Sequence, residues 1–210
     1  MARFPARAKA RHAYHHGNLR QALLDEAVAT IRARGVEALT LREVGARLRV
    51  SRTALYRHFA DKEALLAAVG TEGFRAFRLA LQAAWDAGGH GRDGFMAMGR
   101  AYLQFALDNP SHYRVMFGGF LSGAAKDAAL TGEGDAAFRV LVEALVALQQ
   151  QGLVRRDDPQ ILAIFVWATT HGTAMLVSGG QLGHAPLALD DVAAMIMPRV
   201  WDGIAALPQA

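Results

Sequence analysis

The sequence predicts an all-α fold of about nine helices, in which a small three-helix N-terminal unit precedes a larger helical domain. Two observations favour this fold. Apolar residues recur at three- and four-residue spacing through most of the chain, as on the buried face of an amphipathic helix. Alanine and leucine are abundant, β-branched residues are sparse, and no useful stretch alternates between apolar and polar residues.

The composition is that of a chain able to build a core, since 52% of the 210 residues are hydrophobic. The absence of cysteine excludes disulfides, thiolate zinc sites and cysteine nucleophiles, and it is typical of a cytoplasmic protein. No apolar stretch follows the basic N-terminus, so no signal peptide is expected. Residues 161–180 approach membrane-spanning length, but they include His171 and several hydroxyls. We expect a buried or dimer-forming helix there.

Charge is divided unevenly along the chain. Residues 1–62 carry 13 basic and 5 acidic side chains, whereas the remainder carries 10 basic and 14 acidic ones. A basic N-terminal part on an acidic body predicts a polyanionic partner for the N-terminal part alone.

The first elements can be placed from local signals. Residues 1–17 carry many charges and no apolar period, which indicates a flexible basic arm. A first helix is expected over 18–34, and two short helices follow over 41–48 and 52–59. Thr40 begins a capping box with Glu43, in which each side chain bonds the other residue's backbone amide. The turn over 49–51 ends at Ser51, which caps the third helix.

The larger domain, expected over 62–210, begins with a long helix capped by Asp61. Its predicted helices cover 62–87, 92–107, 110–118, 135–151, 159–178 and 189–207. Asn109-Pro110 supplies a cap and a preset first turn, residues 119–134 form a looser segment, and Pro198 kinks the last helix.

Residues 39–59 have the spacing of a helix-turn-helix, a motif whose second helix lies in the major groove of DNA. The outward positions of that helix carry many hydrogen-bond donors and almost no acid: Arg52, Thr53, Tyr56, Arg57 and His58. Such donors suit phosphate oxygens and base edges. The sequence therefore predicts a helix-turn-helix DNA-binding domain over 18–61.

Leu39-Thr40-Leu41-Arg42-Glu43-Val44 and the run from Val50 to Leu66 resemble the tetracycline-repressor (TetR) family of transcriptional regulators. The most specific part is Leu55-Tyr56-x-His58-Phe59-x-x-Lys62-x-x-Leu65, and the resemblance covers about residues 18–69. It implies a DNA surface of nine residues: Thr40, Arg42, Ser51, Arg52, Thr53, Tyr56, Arg57, His58 and Lys62.

Within that surface the resemblance implies phosphate contacts from Tyr56, His58 and Lys62. Arg52 contacts either a guanine edge or a phosphate, and the sequence leaves both open. Two positions depart from the family pattern. Gly45 stands where alanine is usual and weakens its helix by up to about 1 kcal/mol. Arg49 stands where glycine is usual, and it must adopt the turn without glycine's freedom.

Asn109-Pro110, Tyr113-Arg114-x-Met116-Phe117 and Trp167-x-x-x-His171-Gly172 resemble a TetR subgroup with a Trp-His-Gly signature. The resemblance implies a ligand cavity among the helices of the larger domain. The candidate ligand-binding residues are Phe74, Phe77, Tyr102, Phe105, Tyr113, Met116, Phe117, Phe120, Trp167 and His171. Their aromatic character favours an apolar or aromatic effector. His171 is able either to bind ligand or to satisfy a buried backbone oxygen.

The last two predicted helices are too apolar for the surface of a monomer. In the resembling family they form a four-helix dimer bundle, which implies a homodimer that reads a palindromic operator. The expected function is a repressor released from DNA by a small effector. A DNA-binding activator and an effector-independent repressor fit the same residues.

Other classes of function find little support in the residues. No paired carboxylates, activated nucleophile or phosphate-binding loop stands out, so an enzyme is not expected. No cofactor is expected. His12, His15 and His16 lack a nearby carboxylate, so no metal site is expected either.

Overall fold

The computed structural model describes residues 19–121, 127–181 and 188–206, and the predicted basic arm lies outside these ranges. The all-α prediction is confirmed, since the only β pairing in these ranges is an isolated bridge between Val154 and Ala205. The helices are α1 (Leu19–Arg34), α2 (Leu41–Arg47), α3 (Arg52–His58), α4 (Lys62–Ala87), α5 (Arg92–Asp108), α6 (Pro110–Phe117), α7 (Ala128–Gln150), α8 (Pro159–Ser178) and α9 (Leu189–Asp202).

Side-chain caps begin the short N-terminal helices as predicted. Thr40, Ser51 and Asp61 each accept a hydrogen bond from the backbone amide three residues later, at 3.2, 3.2 and 2.8 Å. The second half of the capping box is wrong. The Glu43 carboxylate pairs with the Arg34 guanidinium instead of the Thr40 amide, because α1 brings this arginine beside α2.

The cap expected at Asn109 is also corrected. Its side chain makes no cap bond to α6 and donates to the Phe105 carbonyl at 3.3 Å, at the end of α5. Pro110 occupies the first turn of α6, as the sequence predicts.

Helix α7 is longer than predicted, because it begins at Ala128 instead of Asp135. Asp127 caps the helix by accepting two backbone amide bonds at 3.0 Å, and Ala128 is its first residue. Gly132, which the sequence assigns to a looser segment, therefore lies inside the helix. The added turns are held in place because Leu130 is buried against α4.

Helix α9 is shorter than predicted, because it ends at Asp202 instead of residue 207. After this point the chain pairs with the loop between α7 and α8. The Arg155 amide donates to the Ile204 carbonyl at 3.1 Å, and Ile204 is fully buried. Burial of this side chain favours the pairing over another helical turn. The helix itself runs through Pro198.

Two hydrophobic cores share α4. The smaller core lies among α1, α2, α3, the first turns of α4 and Val115 of α6, and the larger core lies among α4 to α9. The residues that α4 gives to the smaller core are Leu65, Leu66 and Val69, and those it gives to the larger core are Phe77, Leu81 and Trp85.

One side of α8 is apolar and exposed. We call it the α8 stripe, and it consists of Ile161, Ile164, Phe165, Ala168, Met175 and Leu176. Helix α8 is long and apolar enough to cross a membrane by length and composition. In its most apolar 18-residue stretch, which has a mean hydropathy of 1.5, 33% of the residues are buried. The core helix of a soluble protein meets the same criterion, so this observation is weak evidence for a membrane span.

Candidate functional site

A tight turn fixes α3 against α2. The amides of Arg49 and Val50 donate to the carbonyls of Ala46 and Gly45, at 3.1 and 3.0 Å. This is a Schellman arrangement, in which the residue after the helix cap takes a left-handed conformation. Arg49 occupies that position with a φ of 54°, where its Cβ is strained and glycine is the usual residue.

Gly45 lets α2 and α3 pack closely, which offsets its low helix propensity. It is buried between the two helices, and a Cβ added to it would lie 3.1 Å from Cδ2 of Leu55. Leu55 is the buried residue of α3. The glycine therefore allows close approach of α2 and α3, while the rest of α3 remains turned toward solvent.

Eight of the nine predicted DNA-binding residues are exposed around α3. They form what we call the α3 surface: Thr40, Arg42, Ser51, Arg52, Thr53, Tyr56, Arg57 and His58. Lys62 differs because it is half-buried, and its Nζ donates to the Glu37 carbonyl at 3.3 Å. This lysine thus ties the start of α4 to the loop before α2.

Not every cation near α3 is equally available. The Arg52 guanidinium lies 5.5 Å from the centre of the Tyr56 ring, a cation–π contact that holds two predicted contact residues side by side. Arg47 instead pairs with Glu26 at 3.2 Å. Arg49 is exposed and forms no ion pair within the described residues, which leaves it available for the phosphate contact that the sequence suggests. Its left-handed φ agrees with the expectation that Arg49 adopts the turn without glycine's freedom.

A cavity of about 580 Å³ lies in the larger core, chiefly between α4, α5, α7 and α8. Six predicted ligand-binding residues line it: Phe74, Phe77, Tyr102, Met116, Phe117 and Trp167. The lining also includes residues that the sequence reasoning missed, among them Phe95, Met98, Phe138, Thr170 and Met197.

Four predicted ligand-binding residues lie outside the lining. The Phe105 ring packs with its centre 5.1 Å from that of Phe77, and Phe120 packs against the smaller core. Tyr113 and His171 lie behind Tyr102, where they form hydrogen bonds to one another.

These two residues belong to what we call the Tyr–His cluster: Tyr102, Tyr113, Trp167 and His171. The Tyr113 hydroxyl lies 2.7 Å from Nδ1 of His171, and the Tyr102 hydroxyl lies 3.0 Å from the same nitrogen. Nε1 of Trp167 donates to the Tyr102 oxygen at 3.1 Å. The cluster is the main polar feature beside an otherwise apolar cavity.

Burial sets the charge state of this cluster. It lowers the pKa of His171, raises the pKa of Tyr102 to about 12, and raises the pKa of Tyr113. At neutral pH the imidazole is therefore uncharged and both hydroxyls keep their protons. Among the described residues that line the cavity, the only charged side chain is Asp135, which is exposed.

Two family models match this chain, one at each end. The model described as bacterial regulatory proteins, tetR family, matches residues 23–69. The model described as tetracyclin repressor-like, C-terminal domain, matches residues 95–200, about half of the chain. The chain belongs to the TetR family. As a TetR-family protein it is a DNA-binding transcriptional regulator rather than an enzyme. The Trp-His-Gly subgroup stays a prediction.

Solved structures agree with this assignment to the TetR family. A protein of unknown function from Rhodococcus sp. RHA1 is 34% identical, with a TM-score of 0.82 over 93% of this chain and 100% of its own. A TetR-family regulator from Pectobacterium atrosepticum is 26% identical, with a TM-score of 0.69 over 95% of this chain and 100% of its own. A tetR-family regulatory protein from Rhodococcus RHA1 is 22% identical over 90% of this chain and 97% of its own, with a TM-score of 0.71, and supports the fold alone. A comparison with curated proteins gives no match.

Proposed function

We propose that this TetR-family regulator is a cytoplasmic homodimeric repressor that a small, largely apolar or aromatic effector releases from a palindromic operator. One observation carries the proposal: α6 connects the cavity to the helix-turn-helix. Met116 and Phe117 line the cavity, whereas the adjacent Val115 is fully buried in the smaller core. A ligand that displaces α6 therefore also disturbs the smaller core, to which α3 contributes Leu55.

Polar contacts follow the same route. Nη2 of Arg114, in α6, lies 3.4 Å from the Glu37 carboxylate, and the Glu37 carbonyl accepts from Lys62. The loop before α2 is thus tied to both α6 and α4. Exposed ion pairs contribute about 0–1 kcal/mol, so we assign these contacts a positional role rather than a large energy.

Helix α4 supplies a second connection. Phe74 and Phe77 line the cavity, and Leu65 lies fully buried in the smaller core about three turns earlier. We infer that an effector repositions α4 and α6 and so changes the separation of the two α3 surfaces in a dimer. The effector needs only a higher affinity for the arrangement that does not fit DNA.

The dimer proposal is supported by the α8 stripe. Its residues recur at three-, four- and seven-residue intervals, and Ile161 is 64% exposed. Met195 of α9 is 49% exposed as well. A second copy would cover these side chains, and a two-fold axis would place two α3 helices about 34–36 Å apart, one turn of DNA.

On DNA, the roles of the α3 surface follow from side-chain chemistry. Tyr56 and His58 of this surface, together with Lys62 at the start of α4, would donate to phosphates, which positions the protein without reading sequence. Arg52 is our first choice for a base contact, because a guanidinium bonds both guanine acceptors in the major groove.

The test is binding of the purified protein to fragments selected from its genome, at two salt concentrations. A base contact from Arg52 is worth about 1–3 kcal/mol, so Arg52→Ala should weaken operator binding by about fivefold to a hundredfold. Arg156→Ala is the matched control, since Arg156 is exposed in the loop before α8. Equal affinity for operator and bulk DNA would contradict a gene-specific regulator.

Transcription in vitro from an operator-bearing template separates the remaining alternatives. A repressor lowers the yield of transcript, and an activator raises it. Repression that no cavity ligand relieves would identify an effector-independent repressor and contradict the proposed release.

A further inference from the structure

The two hydroxyls of the Tyr–His cluster share one short acceptor, Nδ1 of His171. A neutral imidazole offers one acceptor lone pair at an unprotonated nitrogen. Two hydroxyls approach Nδ1 of His171, that of Tyr113 at 2.7 Å and that of Tyr102 at 3.0 Å. Because a contact of 2.7 Å between these atoms requires a proton between them, we assign the lone pair to Tyr113.

That assignment leaves the Tyr102 proton without a short acceptor in the described part of the chain. The Tyr102 oxygen already accepts from Trp167 at 3.1 Å, and the Tyr113 oxygen is 3.4 Å away. In the other imidazole tautomer Nδ1 carries a proton and accepts from neither hydroxyl, so Tyr102 again lacks a short acceptor. In both tautomers Tyr102 retains a donor to offer.

The residue that carries this donor lines the cavity. Tyr102 lines the cavity and is 6% exposed, so bulk water is largely excluded from it. A buried donor is stabilised by an acceptor and is costly to leave unsatisfied. The cavity therefore favours a ligand that brings an acceptor to this point.

The charge of that acceptor follows from the rest of the lining. No lysine, arginine or histidine lines the cavity among the described residues, and the only charge is the exposed Asp135 carboxylate. Burying a ligand carboxylate without a cation is strongly unfavourable. An apolar anion such as a fatty acid is thus a poor occupant.

We propose that the cavity takes an uncharged, ring-containing molecule whose neutral acceptor, such as a carbonyl oxygen, bonds the Tyr102 hydroxyl. The aromatic rings of Phe74, Phe77, Phe117 and Trp167 surround the apolar body of the ligand. This inference rests on the proposed effector-binding function and narrows its ligand class.

Calorimetric titration of the purified dimer with matched trios of small molecules tests the class. One trio is benzophenone, 1,1-diphenylethylene and diphenylacetate, which differ in having a neutral acceptor, none, or a carboxylate. We expect the ketone to bind about tenfold more tightly than the alkene and the carboxylate not to bind. Tyr102→Phe should remove the advantage of the ketone and leave alkene binding unchanged, so the alkene serves as the control for folding.

Three results would overturn the inference: a carboxylate that binds as tightly as its ketone, a ketone advantage that survives in Tyr102→Phe, or no binding by any neutral member of the trios. Failure of the proposed function has a different signature. In that case the ketone binds selectively through Tyr102, but saturating ketone leaves operator affinity unchanged.

Discussion

Val115 and Met116 are neighbours in α6, yet their side chains are buried in different hydrophobic cores. Val115 is fully buried in the smaller core, and Met116 lines the cavity. A rotation or shift of one short helix is therefore felt at both sites. We consider this relationship the shortest physical path between an effector and α3.

Substitution of Val115 should separate stability from signalling. Val115→Ala removes two buried methyl groups and should lower the free energy of unfolding by about 1–3 kcal/mol, measured by urea denaturation. The effector should still bind, but it should change operator affinity severalfold less than in the unmodified protein. Val140→Ala, at a buried valine of the larger core, is the matched control and should keep the full effector response.

Arg49 should show opposite effects on stability and on DNA binding. Arg49→Gly relieves the left-handed backbone and should raise the free energy of unfolding by about 0.5–1 kcal/mol. It also removes a cation beside α3, so operator binding should weaken by about threefold to tenfold and depend less steeply on salt. Arg49→Ala keeps the strained Cβ and should weaken binding without the gain in stability. Unchanged operator affinity in both variants would show that Arg49 makes no DNA contact.

The α8 stripe should control the oligomeric state. Ile161→Glu would place a carboxylate in the proposed dimer interface. If burial of this charge costs about 3 kcal/mol, the dimer dissociation constant should rise by at least about a hundredfold. Leu79→Glu is the control, because Leu79 is also an exposed apolar residue, 55% exposed, but lies on α4. Analytical ultracentrifugation distinguishes the two variants. A dimer that persists in Ile161→Glu would place the interface elsewhere.

Acid should destabilise the protein through two half-buried histidines, His112 and His171. Burial lowers the pKa of His171 and, despite the nearby Glu72 carboxylate, that of His112 from the ordinary value of 6.5. Below that pH these histidines bind protons more readily in the unfolded chain than in the folded protein. The free energy of unfolding should therefore fall between pH 7 and pH 5. His171→Asn, which keeps an acceptor for Tyr113, should reduce this fall. If the free energy of unfolding of His171→Asn fell as steeply between pH 7 and pH 5 as that of the unmodified protein, His171 would not be a source of the acid sensitivity.

The sequence predicts the helix-turn-helix better than the cavity for a physical reason. Caps such as Ser51, and the single inward Leu55 of α3, are local features that a few consecutive residues determine. The cavity depends on which helix faces meet, and this is set by packing between distant segments. Met98 and Phe95 lie four and seven residues before Tyr102, so helical spacing places them on the same face of α5, and both line the cavity. Phe105 lies three residues after Tyr102 on that face but outside the lining, so spacing alone does not identify the lining residues.

The shared helix α4 makes the DNA-reading unit a dependent part of the molecule. A fragment that ends at Asp61 would lack Leu65, Leu66 and Val69, which complete its core. The excised unit would expose apolar surface and lose its fold, so a minimal DNA-binding fragment needs at least the first two turns of α4. The same continuity predicts one cooperative thermal transition for the whole chain, because α4 cannot melt at one end without opening both cores.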